Sequence, residues 1–498
     1  MSLATLHSRA RVGMNAPAVT VETHLSNGLP CFSIVGLPDT AVKESKERVR
    51  SAILNAGFEF PARRITVNLA PADLPKDGGR FDLPIAVGIL VASEQISGAK
   101  LETLEFVGEL ALSGALRPIS GCLTAAIAAS KAKRALCIPE QNLAEATLPK
   151  DASILPAQHF LQICAHLQGT TLINSASSSS DNTSILVDAP DMVDIKGQPQ
   201  AKRALEVAAA GKHNLLMIGP PGAGKSMLAS RLPGILPTMT EDERLEVAAI
   251  QSISHVSDTD NWLCRPIRTP HHTASNVALA GGGSNPKPGE ISLAHHGVLF
   301  LDELPEYSRK ALESLREPLE TGEISISRAA HQVTYPANFQ LIAALNPCPC
   351  GTPDKPPQGC NNPIACCDRY QSRLSGPLLD RIDIHLKVDA LPLSQLSSLK
   401  PNGETSDIIR QRVERARQCQ LDRNGKPNHD LSSREVNSFC QLSTKNQTFL
   451  EKAAEKLGLS ARAYHRVLKV ARTLADLEES NTIEKHHLGE ALSYRSVF

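Results

Sequence analysis

The stretch His213-Asn-Leu-Leu-Met-Ile-Gly-Pro-Pro-Gly-Ala-Gly-Lys-Ser226 constrains this chain more than any other. Leu215 to Ile218 is an apolar run of strand length, and Gly219-Pro220-Pro221-Gly222-Ala223-Gly224-Lys225-Ser226 fits G-x-x-x-x-G-K-[ST]. Met227-Leu-Ala-Ser-Arg-Leu232 then continues with helical character. A glycine-rich turn between a strand and a helix points backbone N–H groups at phosphate oxygens, so these eight residues are candidate nucleotide ligands. Lys225 is placed to reach the β- and γ-phosphates, and the Ser226 hydroxyl to ligate Mg²⁺. Such a loop implies a P-loop α/β domain around it.

Downstream, Gly297-Val-Leu-Phe-Leu301-Asp302-Glu303 is a buried-strand run ending in two carboxylates, the form of a Walker B motif. In that reading Asp302 holds Mg²⁺ and Glu303 activates the attacking water, which turns a nucleotide site into an ATP hydrolase. A third strand, Phe339–Leu345, ends in Asn346. Asn346 matches the sensor-1 position of AAA+ ATPases, which orients that water.

The rest of the composition limits the setting. Lys and Arg total 52 and Asp and Glu total 52, so no global charge attracts a polyanion and any DNA contact must be local or created by assembly. No apolar window reaches membrane-spanning length, and the N-terminus lacks the apolar core of a signal peptide. With no export signal, the 12 cysteines read as thiols or metal ligands in a cytoplasmic protein.

Four segments are expected. Residues 1–170 form a compact α+β unit. Its strands are expected over 10–37, with a hairpin turn at Ser26-Asn27-Gly28, then over Arg64–Leu69 and Phe106–Leu112. Its helices are expected over Asp39–Asn55, Leu83–Glu94 and Cys122–Lys133. Residues 171–190 contain the Ser-rich run 174–184 and read as a flexible linker. Residues 191–390 form the P-loop ATPase core, and residues 391–498 a helical lid. The lid helices are expected over Asp407–Gln420, Ser432–Cys440, Ala461–Leu477 and Glu484–Tyr494, with Ser432 and Glu435 spaced as a capping box.

The runs Leu74-Pro-Lys-Asp-Gly-Gly-Arg80, Val107-Gly-Glu-Leu-Ala-Leu-Ser-Gly114 and Leu116-Arg-Pro-Ile-Ser-Gly121 resemble the proteolytic domain of Lon proteases. That family works with a Ser–Lys dyad on a ribosomal-S5-like fold. Arg80 stands where its serine would be, and Cys122-Leu123 where its lysine would be. Without nucleophile and base there is no covalent route, so the resemblance implies a non-proteolytic relative.

The whole chain resembles the YifB/ComM family, the magnesium chelatase-like competence proteins. The resemblance rests on Ser33-Ile-Val-Gly-Leu-Pro-Asp39, Asn68-Leu-Ala-Pro-Ala-Asp73, Pro270-His-His-Thr273, Pro288-Gly-Glu-Ile-Ser-Leu-Ala294 and Ser375-Gly-Pro-Leu-Leu-Asp-Arg-Ile-Asp383. It implies a hexameric AAA+ motor that uses ATP and Mg²⁺ to drive branch migration of DNA during natural transformation. It also implies that Arg381 is an arginine finger offered to a neighbouring subunit, with Arg373 the weaker candidate, and that Arg462 is sensor 2 in the lid. Two insertions, at 268–296 and 322–335, resemble the helix-2 insert and pre-sensor-1 hairpin of magnesium chelatase ATPase subunits and minichromosome maintenance helicases. The second carries Arg328 and His331 near its tip as candidate DNA contacts. Cys348, Cys350, Cys360, Cys366 and Cys367 could furnish a structural Zn²⁺ site, although the spacing leaves the fourth ligand open. Two other readings stand beside the DNA motor. One is an ATPase driving a metal-insertion partner, as the chelatase subunits do, against which the Lon-like domain speaks. The other is an ATP-dependent protease or unfoldase, against which the lost dyad speaks.

Overall fold

A computed structural model of the chain describes residues 3–176, 190–254, 264–283, 286–327, 332–348, 363–390 and 403–495. It divides into two compact units, Met1–Thr183 with Arg244–Trp262, and Ser184–Glu243 with Leu263–Phe498.

The first unit is built on a seven-stranded sheet in the order β3-β4-β2-β1-β5-β6-β7. Its strands are β1 (Leu3–Arg9), β2 (Ala18–Ser26), β3 (Cys31–Val35), β4 (Arg64–Ala70), β5 (Leu104–Phe106), β6 (Ala135–Pro139) and β7 (Ile154–Ala157). In β1, β2 and β4 every second residue is buried, the period of a sheet with one face on the core. Leu6, Val19, Val21, Ile65 and Leu69 share that core with Ile85 and Ile89 of helix Asp82–Ala92 and with Val49 and Ile53 of helix Thr40–Asn55. Asp39 caps the latter, its side chain accepting from Val42 N at 2.8 Å. Helix Asp82–Ala92 is apolar on all sides and buried on nearly all. The Asp82 carboxyl is buried with it and pushed up to about 6, although Arg48 Nε donates to it at 2.7 Å and opposes the shift.

Two expectations fail here. Ser26-Asn27-Gly28 does not close a hairpin, because β4 lies between β2 and β3, antiparallel to the first and parallel to the second. Phe106–Leu112 is not one strand. After β5 the chain turns aside at Gly108, whose N–H donates to Arg80 O and whose carbonyl accepts from Leu83 N.

At the two positions where the resemblance to Lon proteases would put a dyad, this chain has buried residues. Arg80 is buried, donates to the carbonyls of Ser120 and Arg9, and has its pKa pulled down to about 10 by that burial. Leu123 is fully buried against Ala248 and Ala249. Those alanines lie on helix Glu241–Ser254, which the sequence reading missed and whose residues from Arg244 onward belong to this unit. Gly121 N donates to Ser252 O at 2.9 Å, fixing the helix over the same turn.

The second unit is organised by a five-stranded sheet in the order β9-β10-β13-β8-β14. Its strands are β8 (Leu215–Ile218), β9 (Ile267–Arg268), β10 (Val298–Leu301), β13 (Gln340–Leu345) and β14 (Ile384–Lys387). All its pairings are parallel, and all six residues of β13 are buried, as a sheet covered on both faces requires. A separate hairpin pairs β11 (Glu323–Ser327) with β12 (Gln332–Pro336).

Helices Ser406–Asn424, Ser433–Phe439, Thr444–Lys456, Ala461–Leu477 and Lys485–Ser493 follow; the third was not anticipated. Val467, Val470, Ala471 and Leu474 turn one face of Ala461–Leu477 into the core that also holds Leu215, Met217 and Ile384. Ser432 and Glu435 form the expected capping box. Buried Arg417 donates to the carbonyls of Ala209 and Ala210 at 2.9 Å each, satisfying the last turn of helix Pro199–Gly211. No described helix is long and apolar enough to cross a membrane.

Leu123→Ala should lower the stability of the first unit by about 2–4 kcal/mol, because the removed side chain is enclosed and its cavity cannot collapse freely. Urea unfolding followed by a probe in this unit checks it; a midpoint unchanged from wild type would show that helix Glu241–Ser254 is not anchored there.

Candidate functional site

The P-loop leaves β8 through a point that admits only glycine. A Cβ on Gly219 would lie 2.1 Å from the Val388 carbonyl oxygen. Gly222 and Gly224 adopt φ of 77° and 87°, and the space in front of Gly222 is open. The loop therefore curls around a cleft of about 400 Å³ lined by Gly222, Gly224, Lys225, Ser226, Asp302, Glu303 and Asn346 among others. The cleft lies at the carboxyl ends of β8, β10 and β13, where open parallel sheets bind ligands.

Lys225 is buried, and its Nζ donates to Gly219 O at 2.7 Å, Pro220 O at 3.0 Å and Asn346 Oδ1 at 2.9 Å. Burial lowers its pKa, while the Asp302 and Glu303 carboxylates oppose that shift. Ser226 Oγ donates to Asp302 Oδ2 at 2.6 Å, so a hydroxyl and a carboxylate oxygen converge on one point. Those two oxygens, with the open glycine cradle, are a donor set that fits Mg²⁺ and a polyphosphate. Glu303 sits at φ 52°, a left-handed backbone uncommon for glutamate, and its Oε2 is 3.3 Å from His272 Nδ1. The segment carrying His272 is held by Tyr307, whose hydroxyl donates to Pro270 O. A second cavity of about 630 Å³ opens beside the cleft and shares Ser226, Asp302 and Glu303 with it.

Lys225, Ser226, Asp302, Glu303 and Asn346 thus meet in one place, while Arg381 and Arg462 do not line it. Arg381 is buried; its Nη1 donates to Pro377 O at 2.8 Å and its Nη2 pairs with Glu320. Arg373 lies on the surface, 3.3 Å from Glu306. Arg462 is exposed at the start of helix Ala461–Leu477 and makes no hydrogen bond among the described residues. Its helical neighbours are committed elsewhere. Arg466 pairs with Asp383, and Arg472 with Asp476 and the carbonyls of Ser480 and Asn481.

Sequence reasoning gave no role to His272, Glu320 or Asp383. The first and last stand inside family signature runs, whereas nothing around Glu320 marks it. Asp383 is fully buried and accepts from Asn214 N at 3.1 Å, His429 Nδ1 at 2.6 Å and Arg466. Burial would raise its pKa, but His429 and Arg466 hold it well below the usual carboxylate range. Cys348 and Cys367 are buried. Cys350 and Cys360, and likewise Arg328 and His331, lie outside the described residues, as does the side chain of Cys366.

Comparison with known proteins places this geometry. Residues 191–396 match the model of magnesium chelatase, subunit ChlI, residues 403–495 its C-terminal model, and residues 21–142 a model described as subunit ChlI of Mg-chelatase. The chain is 52% identical over 503 residues to competence protein ComM of Haemophilus influenzae, covering 100% of this chain and 98% of that protein. It is 49% identical over 498 residues to YifB of Escherichia coli, with the same coverage. The chain belongs to the YifB/ComM family. A magnesium-chelatase 38 kDa subunit of Cereibacter sphaeroides is 27% identical over 172 residues, covering 31% of this chain and 51% of that protein. Because a chelatase-subunit model also covers residues 21–142, the first unit does not by itself separate a family motor from a chelatase-type ATPase.

Two buried groups, His385 and Asp383, contribute to the acid stability of the second unit. Buried His385 has its pKa lowered to about 3 by burial and by the Arg495 cation. The unfolded chain, with an ordinary imidazole, binds the extra proton first, so stability falls as pH drops from about 6.5 towards 3. Asp383 acts lower: its stabilisation is complete above about pH 4 and is lost as pH falls through its depressed folded value. His385→Gln should therefore flatten the melting-temperature profile between pH 6.5 and 4, and Asp383→Asn should cost about 3–5 kcal/mol at pH 7 by leaving Arg466 without its counterion. Parallel profiles for His385→Gln and wild type would remove the first assignment.

Proposed function

We propose that this chain is an ATP-hydrolysing AAA+ motor that assembles into a ring, six subunits in our reading, and acts on DNA in the cytoplasm. The observation that carries it is the convergence of Lys225, Ser226, Asp302, Glu303 and Asn346 on one cleft from which Arg381 and Arg462 are absent. On ATP entry Lys225 would exchange the Gly219 and Pro220 carbonyls for β- and γ-phosphate oxygens. Asn346, released from Lys225, would orient the attacking water, and Glu303 would accept its proton. Ser226 and Asp302 would hold Mg²⁺, which when bound neutralises charge on the phosphates. Arg381 and Arg462 would then serve a neighbouring subunit's nucleotide, which makes assembly a condition of hydrolysis.

The DNA reading is supported by similarity to a relative named competence protein ComM and by the hairpin of β11 and β12. Arg328 and His331 fall between its strands in sequence, and we assign them to phosphate contacts. With equal numbers of acidic and basic residues, affinity would come from repeating one local contact around a ring. The match to chelatase-subunit models favours one alternative, an ATPase that drives a metal-insertion partner.

Lys225→Ala should abolish ATP binding, and Glu303→Gln should bind ATP but lower hydrolysis by at least about 100-fold. Equilibrium binding of a fluorescent ATP analogue and steady-state phosphate release separate the two; hydrolysis near wild type in either variant rejects the site. Arg381→Ala should bind ATP without hydrolysing it, and mixing it with Lys225→Ala should recover activity, since some interfaces then join an intact arginine to an intact P-loop. A mixture no more active than its parts would remove Arg381 as a residue acting in trans. A synthetic three- or four-strand DNA junction should stimulate wild-type ATPase and be processed, and Arg328→Ala should lose both effects while keeping basal turnover. No junction response by the wild type would favour the metal-insertion reading.

A further inference from the structure

We propose that Glu320 is an internal counterion that occupies the anion seat of Arg381, and that exchanging it for a neighbour's phosphate is what moves the base of the β11–β12 hairpin. The inference rests on Arg381 acting in trans. The Arg381 guanidinium is tethered beside Glu320, since its side chain is only 10% exposed and Pro377 O fixes Nη1 at 2.8 Å. Its Nε is buried without an acceptor among the described residues, so the hydrogen bonding of the guanidinium is incomplete in this arrangement.

Glu320 is the opposite kind of partner. Its side chain is 57% exposed, so water competes for the pair and holding it costs an entering anion little. Arg462 and Arg466 also act on the Glu320 carboxylate, adding to the pull of Arg381 in lowering its pKa. One carboxylate therefore faces a field set by three guanidinium groups, and Arg466 is already committed to buried Asp383. A terminal phosphate offers three oxygens and nearly twice the charge, and would displace a carboxylate from such a seat.

The consequence lies in where Glu320 is attached. It belongs to the short helix Pro318–Thr321, which runs through Gly322 directly into β11. Thr321 Oγ1 accepts from Glu323 N at 3.2 Å, and Gly322 O accepts from Ala337 N at 2.7 Å, just past the end of β12. A shift of Glu320 is thus carried to both strands of the hairpin. The same pair would keep the arginine stowed in a subunit that has no neighbour.

The test measures ATPase activity of the full-length protein against protein concentration, with and without a four-strand DNA junction. Glu320→Gln should reach half-maximal ATPase at about two- to fivefold lower protein concentration than wild type, because the arginine is free to engage. Charge reversal in Glu320→Lys should repel Arg381 and shift the curve at least as far. Both should lose part of the junction stimulation, since the hairpin no longer follows the exchange. Thermal melting within about 2 °C of wild type shows that an exposed residue has been changed without unfolding the unit. Concentration curves and junction stimulation identical to wild type in both variants would overturn the proposal. Arg381→Ala distinguishes the two levels: inert Arg381→Ala beside unchanged Glu320 variants rejects only the counterion role, whereas fully active Arg381→Ala rejects the trans arginine itself.

Discussion

The buried carboxylate of Asp383 is the interaction on which the second unit is assembled. It accepts from the backbone at Asn214, one residue before β8 and five before the P-loop begins. It also accepts from His429, in the turn before the capped helix Ser433–Phe439, and from Arg466, on the most strongly amphipathic helix of the C-terminal region. A charge held out of water must have its partners supplied by the fold, and here they come from three stretches distant in sequence. The strand that delivers the P-loop, the strand that follows Arg381 and the C-terminal helices are therefore fixed relative to one another by one side chain. His213 and Thr473 extend the network, with His213 Nε2 2.8 Å from Thr473 Oγ1.

Around that fixed frame the cleft is built from groups that bond to one another in ways a ligand can replace. Lys225 is held by two loop carbonyls and Asn346, Ser226 by Asp302, and Glu303 lies beside His272. The Lys225 pairings satisfy a buried ammonium that would otherwise be costly to leave unpaired, whereas the Ser226–Asp302 pair is open to solvent. The strain is concentrated at Glu303, whose φ of 52° is held by Asp302, with Oδ1 accepting from Glu303 N at 2.9 Å. A polyphosphate entering the glycine cradle offers oxygen acceptors to Lys225 without disturbing the sheet beneath.

Much of this was legible in the sequence because it is local. The eight-residue loop, the apolar run ending in Asp302-Glu303 and the helix Ala461–Leu477 each carry their own periodicity and punctuation, and each lies where it was expected. What escaped was non-local. The Asn27-Gly28 turn looks like a hairpin because local chemistry cannot show that β4, some forty residues on, inserts between the flanking strands. Helix Glu241–Ser254 was overlooked although its first turn is acidic, as a helix start should be. The burial of its Ala248 and Ala249 makes sense only once Leu123 is known to lie against them. Glu320 is one more acidic residue on a surface helix until Arg381 is placed beside it.

The difference between Arg466 and Arg381 shows how one residue type serves two ends. Both guanidinium groups are paired with a carboxylate on another segment, and both are mostly enclosed by protein. The carboxylate of Asp383 is also enclosed, so separating it from Arg466 would strand two charges in a medium that solvates neither. The carboxylate of Glu320 is half in water, so separating it from Arg381 strands only the arginine, and only until another anion arrives. Burial of the partner, rather than of the arginine, therefore decides which pair is a permanent tie and which can exchange. Two residues apart in sequence, Arg381 and Asp383 divide the work: the aspartate holds the strand in place, and the arginine is mounted on it with a replaceable counterion.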